Sequence, residues 1–255
     1  LCGVNMGQTA ELLAHEFEIT REEMDLYAAR SQARAHEACK NGFFDAEIST
    51  LYDHQGNVYK ADDGIRADST AEKLATLKPF FDRKFGRVTA ANSSQVTDGS
   101  AMLLLANETA VKQHQLPVLG RIVDVQWAAL SPEVMGLGPV FAATPILQKH
   151  GLNINDIDYW EINEAFAAQV IACLRAWESD AFCQHHFAMN AFGPLDQSRL
   201  NVDGGAIALG HPVGATGARI VLHLLHILKR NNARRGIATL CIGGGQGGAM
   251  LLEAM

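Results

Sequence analysis

Two apolar runs near the carboxyl end constrain this chain more than any other feature. "IATLCI" (237–242) and "GAMLLEA" (248–254) are separated only by glycines and one glutamine. Runs of this length bounded by glycine read as two buried strands joined by a tight turn. Before them, "PVGATGARIVLHLLHILKR" (212–230) reads as a strongly apolar helix with proline at its start. Upstream, "PVLGRIVDVQWAAL" reads as a strand and "SPEVMGLGPV" as a Gly/Pro loop. "TPILQKHG" reads as a helix, "IDYWEI" as a strand and "EAFAAQVIACLRAW" as a helix. Strands alternating with helices and closed by a strand pair predict an α/β layered domain.

The first third has another texture. Thr20 and Glu23 have capping-box spacing before a long helical stretch that ends at Gly42. Ser69 and Glu72 predict a second, shorter helix that stops before Pro79. The polar, turn-rich "YDHQGNVYKADDGIRADST" between them suits a loop-rich, mostly helical cap. "GRVTAANSSQVTDGSAMLLLANETAVKQH" then reads as a strand, a polar turn and a helix from about Thr97. The expected divisions are a cap over residues 1–93, a connecting piece over 94–119 and an α/β domain over 120–255.

Bulk numbers narrow the function classes. The 255 residues are 48% hydrophobic with a net charge of −7, and the mean hydropathy is zero. Such a balance suits a soluble globular protein and argues against a general nucleic-acid binder. No apolar run reaches a transmembrane length. Five scattered cysteines are no disulfide framework and suit a reducing compartment. The chain begins with Leu1, without a basic-plus-apolar targeting pattern.

Three segments carry candidate chemistry. "NVDGGAIALGHPVGATG" (201–217) sets one histidine, His211, among glycines and prolines ahead of the apolar helix. Near a positive helix end imidazolium is disfavoured, so His211 would stay neutral and available as a base. A packing histidine at a tight turn is the plain alternative. "ATLCIGGGQGGAM" sets the Cys241 thiol before consecutive glycine N–H groups, an arrangement suited to holding an oxyanion. A buried structural cysteine is the alternative there. Its G-x-G-x-x-G spacing is no dinucleotide fingerprint, since a strand and the chain end follow it. In "EINEAFAAQ", Asn163 sits where a strand gives way to a helix, either orienting an imidazole or capping the helix. Cys173, Cys183, His185 and His186 fit no common zinc spacing, so no metal is expected. The basic "KRNNARR" (229–235) ends a helix, where dipole pairing and solvation account for it.

Together these segments resemble the thiolase superfamily, 3-ketoacyl-CoA thiolases and acetyl-CoA acetyltransferases. "MGQTAE", "TAANSSQVTDG" and "VMGLGP" add three further blocks in the family's order. "DDGIRADSTAEKLATLKPFFD" and the stretch from Trp177 to Leu200 look closest to β subunits of fatty-acid oxidation complexes. The resemblance implies an α/β thiolase fold, with a C-terminal βαβαββ half plus the cap. It implies thiolytic cleavage of 3-ketoacyl-CoA by CoA, or the reverse Claisen condensation, with no cofactor beyond the CoA substrates. His211 matches the base that activates a nucleophilic cysteine, and Cys241 the acid/base on the acetyl carbon. Asn163 matches the holder of an oxyanion water, and Gly243 an oxyanion N–H donor. Ser94, Met6 and Phe166 match residues along the pantetheine arm, whereas Asn5 stands where many members carry histidine. The implied partners are CoA thioesters, a second copy in a homodimer or tetramer, and an α subunit. The implied compartment is the cytoplasm, or a mitochondrial or peroxisomal matrix.

No C-x-S-G nucleophile block is found, and Cys2 in "LCGVNMG" runs straight into "MGQTAE". The chain is therefore expected to lack the nucleophile-bearing N-terminal half, to be inactive alone, and to leave an apolar sheet face uncovered. Two rivals come from other classes: a cysteine hydrolase using Cys241, His211 and Asn163, and a non-catalytic CoA-binding fragment.

Overall fold

The computed structural model describes residues 3–255. The cap opens with α1 (Met6–Glu16) and α2 (Arg21–Lys40). Asn5, in the histidine's place, caps α1 through a reciprocal box with Gln8. The Thr20–Glu23 box also closes at both ends, with the Thr20 N–H donating to the Glu23 carboxylate at 2.7 Å. A small antiparallel hairpin follows, β1 (Leu51–Tyr52) with β2 (Val58–Tyr59), its residues exposed. In α3 (Ala71–Ala75) the cap is Thr70, whose hydroxyl accepts the Lys73 N–H, not the expected Ser69. Thr70 is thereby the residue immediately before the helix, whose side chain reaches the otherwise unpartnered third N–H.

The helix expected from Thr97 is corrected. Residues 94–106 have no regular structure, and α4 (Glu108–His114) forms only after Asn107, whose side chain accepts the Ala110 N–H. Val96, Met102, Leu104 and Leu105 are exposed. An apolar run stays helical through packing rather than propensity, and no element of this chain buries these residues. The strand expected from Gly86 reduces to an isolated Ser93–Phe166 bridge.

The rest is β3 (Gly120–Ala129), α5 (Gly138–His150), β4 (Tyr159–Ile162), α6 (Ala167–Glu178), α7 (Asp180–Phe187), α8 (Ala206–Leu209), α9 (Thr216–Arg230), β5 (Arg235–Ile242) and β6 (Gln246–Ala254). Helix α5 begins inside the expected Gly/Pro loop, because Pro139 in its first turn costs no hydrogen bond. Helix α9 begins at Thr216, four residues after the expected Pro212. The strands form one sheet in the order β3-β6-β5-β4. β4 runs parallel to β5, and the other pairs are antiparallel.

Alternation along β5 explains how the sheet is covered. Ile237 and Cys241 face the core shared with α1, α5 and α6. Ala238 and Leu240 face α9, through Ile220, Leu224 and Leu228. Helices therefore cover both faces of the sheet at β5, α5 and α6 on one side and α9 on the other. Edge strand β3 leaves Ile122, Val125 and Trp127 exposed, as the irregular 96–105 segment does its apolar side chains.

Candidate active site

The parallel pair β4–β5 aims its carboxyl ends at one place. Asn163 follows β4 directly, and its N–H donates to the Thr239 carbonyl of β5 at 2.9 Å. It is not the cap of α6, a position held by Phe166. The Asn163 amide Nδ2 donates to His211 Nε2 at 3.3 Å. Cys241 stands two residues beyond Thr239, about 7 Å further along the strand. Asn163 is 1% exposed and Cys241 5%.

Hydrogen bonding fixes the state of His211. The Thr216 hydroxyl donates to the Pro212 carbonyl at 3.0 Å. Its oxygen is thereby left to accept, and His211 Nδ1 lies 2.7 Å away. Nδ1 therefore carries the proton, and Nε2 keeps a lone pair facing the Asn163 amide. Burial pushes the imidazole pKa down, aided by the positive Arg219. Burial also pushes the Cys241 thiol up to about 12, so the resting group is a thiol rather than a thiolate.

The glycines around His211 are filled from within. A Cβ on Gly205 would stand 2.5 Å from the Glu164 carboxyl carbon, and one on Gly210 2.3 Å from the Thr97 hydroxyl. Gly210 also has φ +90°, which only glycine adopts freely. The expected clearance for a ligand remains at Gly214 and Gly217, which face open space.

The other expected residues form a rim. A Cβ on Gly243 would meet the Met6 sulfur at 3.4 Å. The rings of Phe81 and Phe166 pack edge to face, 6.2 Å apart. The Ser94 N–H donates to the Ala165 carbonyl at 3.0 Å. Beside Gln95, a cavity of about 340 Å³ is lined by Arg66, Ser69 and Lys73. Cys2 lies outside the described residues. Cys173 donates to the Gly136 carbonyl and Cys183 to the Ala176 carbonyl; Cys173 shares the buried cluster of Cys241. No group of three metal-ligating side chains gathers among the described residues.

Sequence reasoning missed the supports. Glu164 accepts from Tyr27 at 3.0 Å, Ser31 at 2.6 Å and Asn201 at 3.0 Å, which ties α2 to the end of β4. Gln95 accepts the His211 N–H at 3.2 Å. Thr216 and Glu164 lie inside the quoted motifs, so proximity to His211 and Asn163 was the available signal. Tyr27 and Ser31 carried none, being 137 and 133 residues from Glu164.

Comparison with known proteins gives the family. The family model for the thiolase C-terminal domain matches residues 116–254. The thiolase N-terminal domain model matches residues 2–109, which corrects the expectation that the N-terminal half is lacking. A Saccharomyces cerevisiae protein named "3-ketoacyl-CoA thiolase, peroxisomal" is 41% identical over 98% of this chain and 56% of its own length. An acetyl-CoA acetyltransferase of Pseudomonas aeruginosa is 44% identical over 97% of this chain and 60% of its own length. The chain thus spans about three fifths of the curated relatives it matches. The crystal structure of the Bacillus anthracis acetyl-CoA acetyltransferase superposes with a TM-score of 0.88 at 42% identity, covering all of this chain and 61% of that one. The dimeric peroxisomal thiolase of S. cerevisiae gives 0.87 at 40% identity, covering 100% and 60%. With both domain models matched in order and the fold shared along its length, this chain belongs to the thiolases.

Proposed function

We propose that this chain serves thiolytic acyl transfer, the cleavage of a 3-ketoacyl-CoA by CoA or the reverse Claisen condensation. The observation that carries this reading is the Asn163–His211 couple, with its lone pair on Nε2, at the strand ends that also carry the Cys241 thiol. A neutral imidazole takes a thiol proton, which makes the acyl-accepting thiolate. Breaking the carbon–carbon bond releases an acetyl-CoA enolate. The Asn163–His211 couple on one side and the Gly243 N–H on the other stabilise developing oxyanions. The Cys241 thiol gives its proton to the enolate carbon and regains one from the incoming CoA thiol.

A thiol raised to about 12 suits a proton carrier better than a resting nucleophile, which favours this reading over the cysteine hydrolase. The acyl group goes to another cysteine. Cys173 and Cys183 are engaged with backbone carbonyls, and Cys39 lies on the cap helix. Ser94, Met6 and Phe166 would follow the pantetheine arm, and Arg66 with Lys73 would face the CoA phosphates. Assembly as a homodimer or tetramer, with or without an α subunit, belongs to the same proposal, as does action in the cytoplasm or an organelle matrix.

The test is mass spectrometry after incubation with acetoacetyl-CoA, alongside deuterium exchange into acetyl-CoA. Cys241→Ala should abolish exchange without removing an acylation site. A covalent acyl group on Cys241 itself would overturn the assignment in favour of the hydrolase.

A further inference from the structure

Along one face of α9, Thr216, Arg219 and His223 follow at helical spacing, i, i+3 and i+7. Thr216 holds His211 Nδ1. Across from this face stand Glu161 and Asn163, which share one side of the β4 chain by strand alternation. Most of the buried side-chain polar atoms without a hydrogen-bond partner among the described residues fall in this seam. They are Arg219 Nε and Nη2, His223 Nε2, Glu161 Oε1, Asn163 Oδ1 and, beside Gly210, Thr97 Oγ1. Native interiors rarely leave such atoms unpartnered, so a concentration of them calls for a reason.

The arginine is the odd member. His223 is compensated, with Glu47 at 2.8 Å and Asp203 at 3.4 Å. Arg219 has no carboxylate within 4.0 Å among the described residues. The carboxylates that feel its charge stand further off: Asp62 from the cap, which Asp63 and Glu47 also influence, and Glu161 from β4, which Asp203 and Glu164 also influence. Its charge reaches His211, Asp62 and Glu161 alike. Arg219 is half-buried, with Nε and Nη2 inside the seam and without a partner there; a charge placed so acts most strongly on groups from which water is excluded.

We propose that Arg219 is an electrostatic positioning residue for His211: its unpaired guanidinium, one turn behind Thr216, keeps the imidazole neutral with its lone pair on Nε2. This rests on the acyl-transfer reading for its purpose, and on the seam's geometry for its substance. Bringing a proton to His211 would set two like charges in one buried seam. Arg219 thereby turns a histidine that Thr216 merely orients into a base still competent in mildly acidic solution. The sign is opposite to that at His223, where two carboxylates draw a proton in.

The decisive measurement is the NMR titration of the His211 imidazole in the full chain, with its resonance assigned through His211→Asn. In Arg219→Met and Arg219→Gln, the midpoint should rise by roughly 0.5 to 1 pH unit, the size of one buried like charge removed. Arg219→Lys keeps the charge and should hold the wild-type midpoint. An unchanged midpoint in both neutral variants overturns the proposal. So does a lysine variant that shifts as far as methionine, since shape rather than charge would then govern. In thiolysis assays the acidic limb of kcat/KM should move up by the same amount in the neutral variants. Wild-type chain inert toward CoA thioesters, with the titration behaving as stated, would count against the acyl-transfer reading while supporting the role of Arg219.

Discussion

Two histidine environments beside and within helix α9 differ in kind. At its start, His211 meets a hydroxyl, an amide and a positive guanidinium, and its pKa is pushed down. Two turns further, His223 is wholly buried between Glu47 and Asp203, and its pKa is raised to about 10. Burial disfavours imidazolium at both. Carboxylates overcome it at His223, whereas among the described residues His211 has no carboxylate partner. Neighbouring charge, not depth, makes one histidine a base and the other a structural cation. His223 joins cap to sheet domain in that role, since Glu47 comes from the cap and Arg230 of α9 holds Asp203 at 2.6 Å.

The largest expected effect breaks the functional side of this contrast. His211→Asn should lower thiolytic kcat by roughly a thousandfold, within the range for loss of a general base, with little change in melting temperature. A loss of stability instead would make His211 a packing residue. Next, His223→Gln should destabilise the fold by about 3 kcal/mol, because two buried carboxylates lose their cation. Thermal unfolding measures it, and a shift near zero would erase the distinction.

The pH dependence sharpens it. The His223 pKa is raised in the fold from 6.5, so its contribution is fully present below that value and lost as pH climbs through about 10. Urea midpoints of the wild type should fall across that window, and those of His223→Gln should fall less. A smaller effect is expected of Thr216→Val, which removes the acceptor for Nδ1–H. About a tenfold loss of kcat/KM, near 1.4 kcal/mol, is the scale for one oriented hydrogen bond. The smallest belongs to Lys73→Ala at the cavity rim. It should raise KM for CoA by a few-fold, as loss of an exposed charge contact does, and leave kcat alone.

Legibility in the sequence followed the range of the interactions. The long capping box at Thr20 and Glu23, and the strands on either side of the Gly243 turn, rest on contacts a few residues apart, and they stand where the pattern set them. The helix from Thr97 did not, because "AMLLLA" has helical propensity but no surface of this chain to bury against. The Ser69 cap slipped by one residue for want of anything distant to pin it.

The chemistry divided along the same line. Local pattern alone marked His211 and Cys241, as titratable groups at glycine-rich breaks, and Asn163, where a strand gives way to a helix. Only the tertiary structure paired Asn163 with His211 across 48 residues and set Arg219 behind them. It also gave His223, unremarked in an apolar helix, two carboxylates 176 and 20 residues away. A proton's place on a buried imidazole depends on which charges the fold brings within a few ångströms, and sequence spacing carries no record of that distance.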